Sequence, residues 1–424
     1  MSTSATLSDA ERVTARRAVI ASSVGNALEW FDIIVYASFA VVISKLFFPE
    51  AGGVTGLLFT FGAFATSYLI RPLGALVLGS YADRSGRKAA LTLTIGLMTL
   101  GTGLMAVAPP ASMIGPAAGL VILASRLVQG FSAGGEFGTS TTYLVESAPQ
   151  HKAYYASWQV ATQGAALFLA SAFGFGLNVG LSPAQLSSWG WRVPFFFGLL
   201  VGPVGLYIRL RMSETAEFAT AERVKSPVLQ TLRGHPGRVL SAAAAVGLAS
   251  ISVYLILYLP TFAVTNLGLP RYAGFLGGII SGLVSLFGVP QIGHLADRVG
   301  PLRIMLVAAV VSLVLSLPLF AILVAHPSVL VLTLVQVVLG IQMATYFGPL
   351  PALLSFMFPT AIRTTGLSIS YNLGVTLFGG FAPILLTALI STSGSLLSPS
   401  WYFMAVAVVS LLGLLVIRAR RYAD

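Results

Sequence analysis

Twelve apolar runs, each long enough to cross a bilayer, constrain this chain more than any other feature. A helix needs ~20 apolar residues to cross ~30 Å of hydrocarbon. A window of that length finds runs at 19–44, 54–80, 89–108, 117–146, 153–180 and 191–210, and again at 238–264, 271–295, 302–325, 328–358, 362–392 and 399–417. Only 9% of the 424 residues are charged and 56% are hydrophobic, whereas soluble proteins carry about 25% charged residues. We therefore predict an all-α membrane protein with twelve transmembrane helices.

One long polar stretch, residues 209–238, divides the runs into two sets of six. Its charges, Pro and Gly residues cannot remain in lipid. The division predicts an N-terminal tail at 1–18, an N-terminal six-helix bundle at 19–210, a linker at 211–237, a C-terminal six-helix bundle at 238–417 and a C-terminal tail at 418–424. Because no small-residue cleavage site follows the first apolar run, we expect that run to stay in the membrane.

The basic residues lie almost entirely on one side of the predicted spans. With a cytoplasmic N-terminus, nineteen of the 24 Lys and Arg residues fall in cytoplasmic segments, three lie outside and two lie within spans. Lys and Arg are enriched on the cytoplasmic side of membrane proteins, so this asymmetry predicts that both termini and the linker are cytoplasmic. The formal net charge of +11 then reflects topology and anionic lipid. No basic patch interleaved with aromatic residues points to a nucleic-acid partner.

Matching turns follow the second span of each set. GSYADRSGRK occupies 79–88 and GHLADRVGPLR occupies 293–303, so Asp83 and Asp297 lie about half the chain apart. Recurrence at equivalent places indicates a duplicated six-helix unit. Within such a turn Gly permits a tight exit from a helix, and Asp can cap a helix end. The Arg and Lys residues anchor the turn at the cytoplasmic surface.

The first of these turns resembles the signature loop of the major facilitator superfamily. Further segments are similar to the metabolite:proton symporter family within it: GNALEWFD (25–32), RPLGALVLG (71–79), RLVQGFSAGGEFG (126–138), WGWRVPF (189–195), RMSETAEF (211–218) and YNLGVTLFGGFAP (371–383). YASWQ (155–159) and the stretch 358–383 are most similar to citrate and tricarballylate symporters, and GGEFGTSTTYLVE (134–146) is also similar to alpha-ketoglutarate permeases. The resemblance covers nearly the whole chain.

This resemblance implies a bacterial inner-membrane transporter with the major facilitator fold. Two six-helix bundles would rock around a midplane site and carry a citrate-like di- or tricarboxylate together with a proton. The resemblance also implies a functional monomer that needs no cofactor, the proton being the coupling ion. Conformational roles are then expected for the residues of the two signature loops, Asp83, Arg84, Arg87, Asp297 and Arg298. The second loop departs from the pattern, since Pro301 stands where the first loop has Arg87.

Five ionisable side chains fall well inside the predicted spans, all in the first set: Glu29, Asp32, Arg71, Arg126 and Glu136. A charge at a helix centre costs ~2.5–3.5 kcal/mol on insertion scales, so these groups must be paired, hydrated or neutralised. The four His residues fall at span ends or in loops. The three carboxylates, Asp32, Glu29 and Glu136, are therefore the candidate proton carriers.

Depth along each helix, at about 1.5 Å per residue, suggests how these charges pair. Glu29 and Asp32 share a helix face and lie near the level of Arg126, so we expect Arg126 to pair with one of them. Glu136 lies about 15 Å along the axis from Arg126, so we expect it to pair with Arg71 instead. An anion that competes for Arg126 would release the acid to bind a proton. The alternative is that these pairs only fix helix packing.

Larger polar side chains complete the predicted site. Substrate contacts are predicted for Arg126, Asn26, Tyr36, Gln159 and Gln163 in the first set and for Tyr346, Tyr371 and Asn372 in the second. The second set supplies no cation within the membrane that could bind a second carboxylate, which leaves the substrate's number of carboxyl groups open. Conformational roles are also predicted for Arg71 and for Arg192, which is interpreted as an interface anchor first and as an outer gate second.

Other functions remain open at this point. A symporter of a zwitterionic osmolyte or a shikimate-like metabolite would suit the balanced charges, and a drug/proton antiporter would suit the acidic face of the first set. The tail ends at RARRYAD without heptad repeats, unlike the osmosensing proline and betaine members of the family. An enzyme is not expected, because the sequence has no HExxH motif, His/Asp/Glu metal set, Ser/His/acid set or nucleotide-binding loop.

The predicted topology can be tested by labelling single cysteines, because the chain has no Cys of its own. A membrane-impermeant maleimide should label Glu50→Cys in intact cells, since residue 50 follows the first span. The same reagent should label Thr220→Cys, in the linker, only after the cells are permeabilised. Labelling of Thr220→Cys in intact cells would contradict cytoplasmic termini.

Overall fold

The computed structural model describes residues 9–85, 87–148, 150–210 and 227–423. Within these ranges it leaves out the side chains of residues 9–18, 21, 22, 24, 79, 80, 82–85, 87, 88, 147, 209, 227 and 361. The described residues form helices and short turns with no strand, which confirms the predicted all-α class.

The helices follow the predicted spans in order. The first half contains Asp9–Ser38 and Ala40–Phe47 (span 1), Gly53–Leu69 and Arg71–Ser85 (span 2), Arg87–Val107 (span 3), Ala117–Ala133 and Glu136–Ser147 (span 4), Lys152–Gly180 (span 5) and Val193–Leu210 (span 6). The second half contains Pro236–Thr265 (span 7), Ala273–Val299 (span 8), Pro301–Ala325 (span 9), Val329–Phe347 and Leu350–Phe356 (span 10), Arg363–Val375 and Ala382–Ser393 (span 11) and Ser398–Ala419 (span 12). Short helices at Ala111–Ile114, Pro183–Ser188 and Pro227–Gly234 join some of them.

Among the described residues, eleven helices are long and apolar enough to cross a membrane, and span 1 is the twelfth when its bent pair is counted as one. The sequence predicted a single run at 19–44, whereas the two helices of span 1 meet at 68°. Phe39 lies at the bend, and its ring packs 6.3 Å from that of Phe275 in span 8. An even number of spans places both chain ends on one face, which we call the terminus face.

Several spans are broken where the sequence supplies Gly or Pro. Span 4 breaks at Gly134 and Gly135, and span 10 breaks at Gly348 and Pro349. The two breaks have the same separation in sequence as Asp83 and Asp297, so the internal repeat extends to the helix irregularities. In a membrane, backbone groups freed by such breaks must find partners within the protein. Asn372 of span 11 meets this need at span 4 by donating to the Gly134 carbonyl at 3.0 Å.

Spans 5 and 8 hold the two halves together through small residues along their length. Near the middle, a side chain at Gly164 would contact the Leu286 backbone nitrogen at 2.6 Å. Nearer the terminus face, a side chain at Gly293 would contact Ser157. Such small-residue contacts let two helix backbones approach closely, which is how helices associate in lipid without a hydrophobic driving force.

The spans differ in how far they lie from lipid. In the most apolar part of span 7, 89% of the residues are buried inside the protein, compared with 33% in span 9. Span 7 therefore runs through the centre of the molecule, and span 9 faces the bilayer.

The first part of the predicted linker, residues 211–226, lies outside the described residues, and the remainder contains the helix Pro227–Gly234. The predicted domain boundaries stay predictions.

The close contact of spans 5 and 8 predicts a large difference between two glycines of span 5. Gly164→Val should destabilise the protein by ~1–3 kcal/mol, because the added atoms meet backbone that cannot move cheaply. Gly176→Val is the matched control, since nothing lies within 4 Å of a side chain added there. Thermal unfolding of the detergent-solubilised protein should show a lower midpoint for Gly164→Val only. Equal midpoints would contradict the packing described.

Candidate functional site

The deepest polar cluster joins spans 1, 3 and 4. Arg126 Nη2 lies 2.6 Å from Asp32 Oδ2, and Thr102 Oγ1 donates to Asp32 Oδ1 at 3.1 Å. Gln129 Nε2 donates in turn to Thr102 Oγ1 at 3.1 Å. The Arg126 guanidinium also lies over the Tyr36 ring, 4.4 Å from its centroid. The predicted pairing of Arg126 with an acid of span 1 is confirmed, and the acid is Asp32.

The Arg126–Asp32 pair is closed off from its surroundings. The exposed fraction of the side chain is 2% for Arg126 and 0% for Asp32. Burying two charges costs several kcal/mol per ion, and their attraction repays this only with good geometry and further hydrogen bonds. Both Asp32 oxygens accept a hydrogen bond. Arg126 Nε has no hydrogen-bond partner in the described part of the chain, so the guanidinium keeps one donor free for another acceptor.

Arg71 forms a second buried ion pair, but with a different acid from the one predicted. Its Nη2 lies 3.0 Å from Glu29 Oε1, whereas the sequence analysis paired it with Glu136. The prediction of Glu136 was wrong because it rested only on the distance of Glu136 from Arg126, and it did not consider that Glu29, once Asp32 binds Arg126, is the acid left for Arg71. Glu136 is buried in the first turn of Glu136–Ser147, where the helix dipole favours a carboxylate.

Two tyrosines connect the Arg71–Glu29 pair to the C-terminal half. The Arg71 guanidinium lies 4.2 Å from the centroid of the Tyr68 ring. The Tyr68 hydroxyl is hydrogen-bonded to the hydroxyl of Tyr254 in span 7, and the Tyr254 ring lies 6.3 Å from that of Trp30. Relative movement of the halves at this level must therefore break the bond between the two hydroxyls.

The predicted polar residues of spans 1 and 5 differ in how their groups are used. Asn26 Nδ2 donates to the Gln159 carbonyl at 2.8 Å, and the Gln159 side chain accepts from Thr141. Gln163 is buried, yet neither its amide nitrogen nor its amide oxygen has a hydrogen-bond partner among the described residues. It borders a cavity of about 10 Å³ that Trp30 and Met343 border from opposite halves. Gln163 is thus a polar side chain available at the interface between the halves.

The predicted residues of the C-terminal half are used in contacts within the protein. The Tyr346 hydroxyl donates to the Ala245 carbonyl at 2.8 Å. The Tyr371 ring stacks on Phe137 of span 4, with centroids 3.4 Å apart. Asn372 binds the Gly134 carbonyl, as described above. Tyr371 and Asn372 therefore join the halves, and their predicted substrate contacts stay predictions.

Among the predicted conformational residues, Asp297 lies at a contact between the halves. Its Oδ1 accepts from the Ala153 backbone nitrogen at 2.8 Å, and its Oδ2 accepts from that of Tyr154 at 3.1 Å. The carboxylate at the end of span 8 thus caps the first turn of span 5, a favourable place for negative charge. Arg298 beside it is exposed. The side chains of the other three signature-loop residues, Asp83, Arg84 and Arg87, lie outside the described residues.

Arg192 makes its contacts within the N-terminal half. Its Nη2 donates to the Ala108 carbonyl at 2.6 Å, and its Nη1 donates to the Ser188 carbonyl at 3.0 Å. The guanidinium also lies over the ring of Trp191. These bonds join the end of span 3 to the start of span 6, which fits the interpretation of Arg192 as an anchor.

The two halves meet at the terminus face and part at the opposite face. On the terminus face, Thr364 of span 11 bonds Thr142 of span 4 at 3.1 Å, beside the Phe137–Tyr371 stack and the Asp297 cap. On the opposite face a cavity of about 570 Å³ opens between the halves, bordered by the loop after span 1 and by the ends of spans 7 and 11. Neither Arg126 nor Asp32 borders this cavity.

The sequence analysis missed two residues of these clusters. Tyr68 precedes Arg71 by one helical turn, so its place on the same face was a usable signal. Thr102 carried no signal, because span 3 holds several Thr residues and only packing shows which one faces Asp32. In the described part of the chain, no group of three or more His, Asp or Glu side chains is arranged to hold a metal ion.

Comparison with known proteins gives consistent results. The profile of the Major Facilitator Superfamily matches residues 27–371 and 280–424. A citrate-proton symporter of Klebsiella pneumoniae is 35% identical over 93% of this chain and 90% of its own length, and one of Salmonella typhi is 33% identical over 93% and 92%. A putative proline/betaine transporter of Staphylococcus haemolyticus is 32% identical over 93% and 86%. The crystal structure of a D-xylose-proton symporter has the same fold, with a TM-score of 0.77 over 95% of this chain and 97% of that one at 16% identity.

The pairing of Arg71 can be tested by two double-mutant cycles on thermal unfolding. Arg71→Gln and Glu29→Gln should each destabilise the protein, because each removes one partner of a buried ion pair. The double variant should be less destabilised than the sum of the two, by ~0.5–3 kcal/mol. The control cycle combines Arg71→Gln with Glu136→Gln and should show the smaller coupling. A larger coupling to Glu136 would contradict the pairing described here.

Proposed function

Since this chain belongs to the major facilitator superfamily, we propose that it is a secondary active transporter that carries a small organic carboxylate together with a proton. The fold and the family are those of membrane transporters. Relatives named as citrate-proton symporters support both the proton and a citrate-like di- or tricarboxylate. Relatives named as putative proline/betaine transporters support a zwitterion as the second candidate. A shikimate-like metabolite or a drug exchanged for protons is less well supported, because no relative described above carries either.

The single observation that carries the proposal is the buried Arg126–Asp32 pair. A guanidinium binds a carboxylate well because its planar donors match the two oxygens. Arg126 Nε has no partner in the described part of the chain, so a substrate carboxylate can bind there and compete with Asp32. A buried carboxylate that has lost its cationic partner is a place where a proton can bind in exchange. Substrate and proton binding then favour each other, which is what symport requires.

The substrate would bind in the small cavity between the halves. That cavity is bordered by Trp30 and Ile34 of span 1 and by Gln163 of span 5, but by neither Asp32 nor Arg126. At about 10 Å³ it holds roughly one water molecule, so the halves must part to admit a substrate. The movement that admits the substrate would therefore also have to open a way from this cavity to the Arg126–Asp32 pair. Gln163 offers the substrate an amide donor and an amide acceptor that have no partner among the described residues. Asn26, whose side-chain amide donates to the Gln159 carbonyl, would hold span 1 against span 5 beside it.

The arrangement of the halves supports alternating access. With the predicted topology, the closed terminus face is cytoplasmic and the open cavity faces outward. Inward opening would separate Tyr371 from Phe137 and release the Asp297 cap on span 5, which gives the signature loops their conformational role. It would also break the bond between Tyr68 and Tyr254, whose neighbour is the Arg71–Glu29 pair. One chain supplies every residue of this scheme, so we propose a functional monomer in the bacterial inner membrane.

Uptake of labelled citrate into proteoliposomes tests the proposal. The wild type should accumulate citrate under an inward proton gradient and lose accumulation with a protonophore. Asp32→Asn should lose accumulation but keep exchange of internal for external citrate, because Arg126 remains to bind the anion. Arg126→Gln should lose both activities. Loss of one partner of a buried pair costs ~3–5 kcal/mol, so folding is checked by size exclusion, with Asp32→Asn/Arg126→Gln as the neutral, better-folded control.

Competition identifies the substrate class. Unlabelled di- and tricarboxylates should suppress citrate uptake, whereas betaine and shikimate should not. Absence of citrate uptake together with uptake of labelled betaine would replace the carboxylate with the zwitterion. Accumulation by Asp32→Asn equal to that of the wild type would remove Asp32 from proton coupling.

A further inference from the structure

Lys45 lies where three cavities of the open face meet. It borders the large cavity of about 570 Å³, a second of about 560 Å³ on its other side, and a smaller one of about 120 Å³ between the halves. Lys45 belongs to Ala40–Phe47, the helix that the 68° bend of span 1 turns away from the preceding helix. The side chain is exposed. The bend therefore places a cation at the entrance to the space between the halves.

The 120 Å³ cavity receives one cation from each half. Lys45 borders it from span 1, and Arg271, in the turn before span 8, borders it from the C-terminal half. Neither cation forms an ion pair in the described part of the chain, and no Asp or Glu is among the described residues that border the cavity. Glu50 borders only the 560 Å³ cavity. Two cations without a counter-charge raise the local concentration of anions.

Hydroxyl groups also border this cavity, and one of them has no hydrogen-bond partner among the described residues. Thr261 is 1% exposed, and its Oγ1 has no hydrogen-bond partner among the described residues. Ser38 and Ser187 border the cavity from the N-terminal half. Asn178 is already engaged, since its Nδ2 donates to the Gly174 carbonyl at 2.7 Å. A buried hydroxyl left unpaired is costly, so Thr261 in particular is suited to donate to an incoming acceptor.

We propose that this cavity is an outer binding site for one carboxylate group of the transported anion, held by Lys45 and Arg271 before the anion reaches the centre. The identity of the anion rests on the proposed function. The cavity's volume of about 120 Å³ is about twelve times that of the one-water cavity at the centre, which leaves room for one carboxylate and its neighbouring carbons. The remainder of a di- or tricarboxylate extends into the 570 Å³ cavity, which Lys45 and Val264 also border. Arg271 thus provides the C-terminal half with a cation for the substrate, outside the membrane core.

Transport kinetics provide the first test. Lys45→Gln and Arg271→Gln should each raise the KM for citrate uptake, and the double variant should raise it on the order of tenfold. The kcat should stay unchanged, because the central Arg126–Asp32 pair is intact. Arg420→Gln removes an exposed charge on the terminus face and is the matched control, with an unchanged KM.

Labelling of a single cysteine provides a test that needs no transport. Val264→Cys places a thiol at the border of both cavities. A thiosulfonate reagent that carries a negatively charged sulfonate should modify this thiol on the order of tenfold faster when Lys45 and Arg271 are present than when both are replaced by Gln. A neutral thiosulfonate should modify the thiol at the same rate in both proteins. Added citrate should slow modification of the thiol by the neutral reagent in the protein that has Lys45 and Arg271. It should not slow this modification in the protein that lacks both.

The two tests separate the outer site from the proposed function. Normal citrate uptake with an unchanged KM in the double variant and no charge-selective labelling would overturn the outer site and leave the proposed function standing. Charge-selective labelling with protection by citrate, but no carboxylate uptake by the wild type, would support the anion site and overturn the proposed function.

Discussion

A charge buried in a membrane protein must find its partner inside the protein, and this constraint organises the N-terminal half. Two ion pairs, Arg126–Asp32 and Arg71–Glu29, join spans 1, 2 and 4. The hydrocarbon core of the bilayer contains no water to solvate a separated charge, so an unpaired charge there destabilises the protein by several kcal/mol. The three spans are therefore fixed relative to one another, and the polar residues around them, such as Thr102 and Gln129, keep their places.

The interface between the halves is built on a different principle. Among the described residues it contains single hydrogen bonds, contacts between aromatic rings, the Asp297 cap on span 5 and the close approach of small residues in spans 5 and 8. A neutral hydrogen bond contributes only about 0.5–1.5 kcal/mol net, so such contacts can form and break while each half keeps its structure. Strong interactions thus lie within the N-terminal half and weak ones lie between the halves, which is the distribution that rocking of rigid bundles needs.

Much of the fold followed from the sequence, because lipid leaves few alternatives for apolar runs of this length. The twelve spans and the duplicated signature loop were predicted, and depth along a straight helix placed both Glu29 and Asp32 near the level of Arg126. That reasoning did not show which of the two acids Arg126 binds, nor that the other one, Glu29, is the partner of Arg71. It also could not show that Gln159 is fully bonded while Gln163, one turn away, is not. Those facts depend on contacts between spans, and residue type alone does not report such contacts.

The broken helix of span 4 has a consequence for how the molecule opens. The Gly134 carbonyl depends on Asn372 of the other half for its hydrogen bond, and the first turn of span 5 depends on Asp297 in the same way. When the halves part at the terminus face, these groups lose their partners, and only water can replace them at low cost. Opening of this face is therefore a wetting event, in which water must enter the crevice to bond the groups that the two halves release.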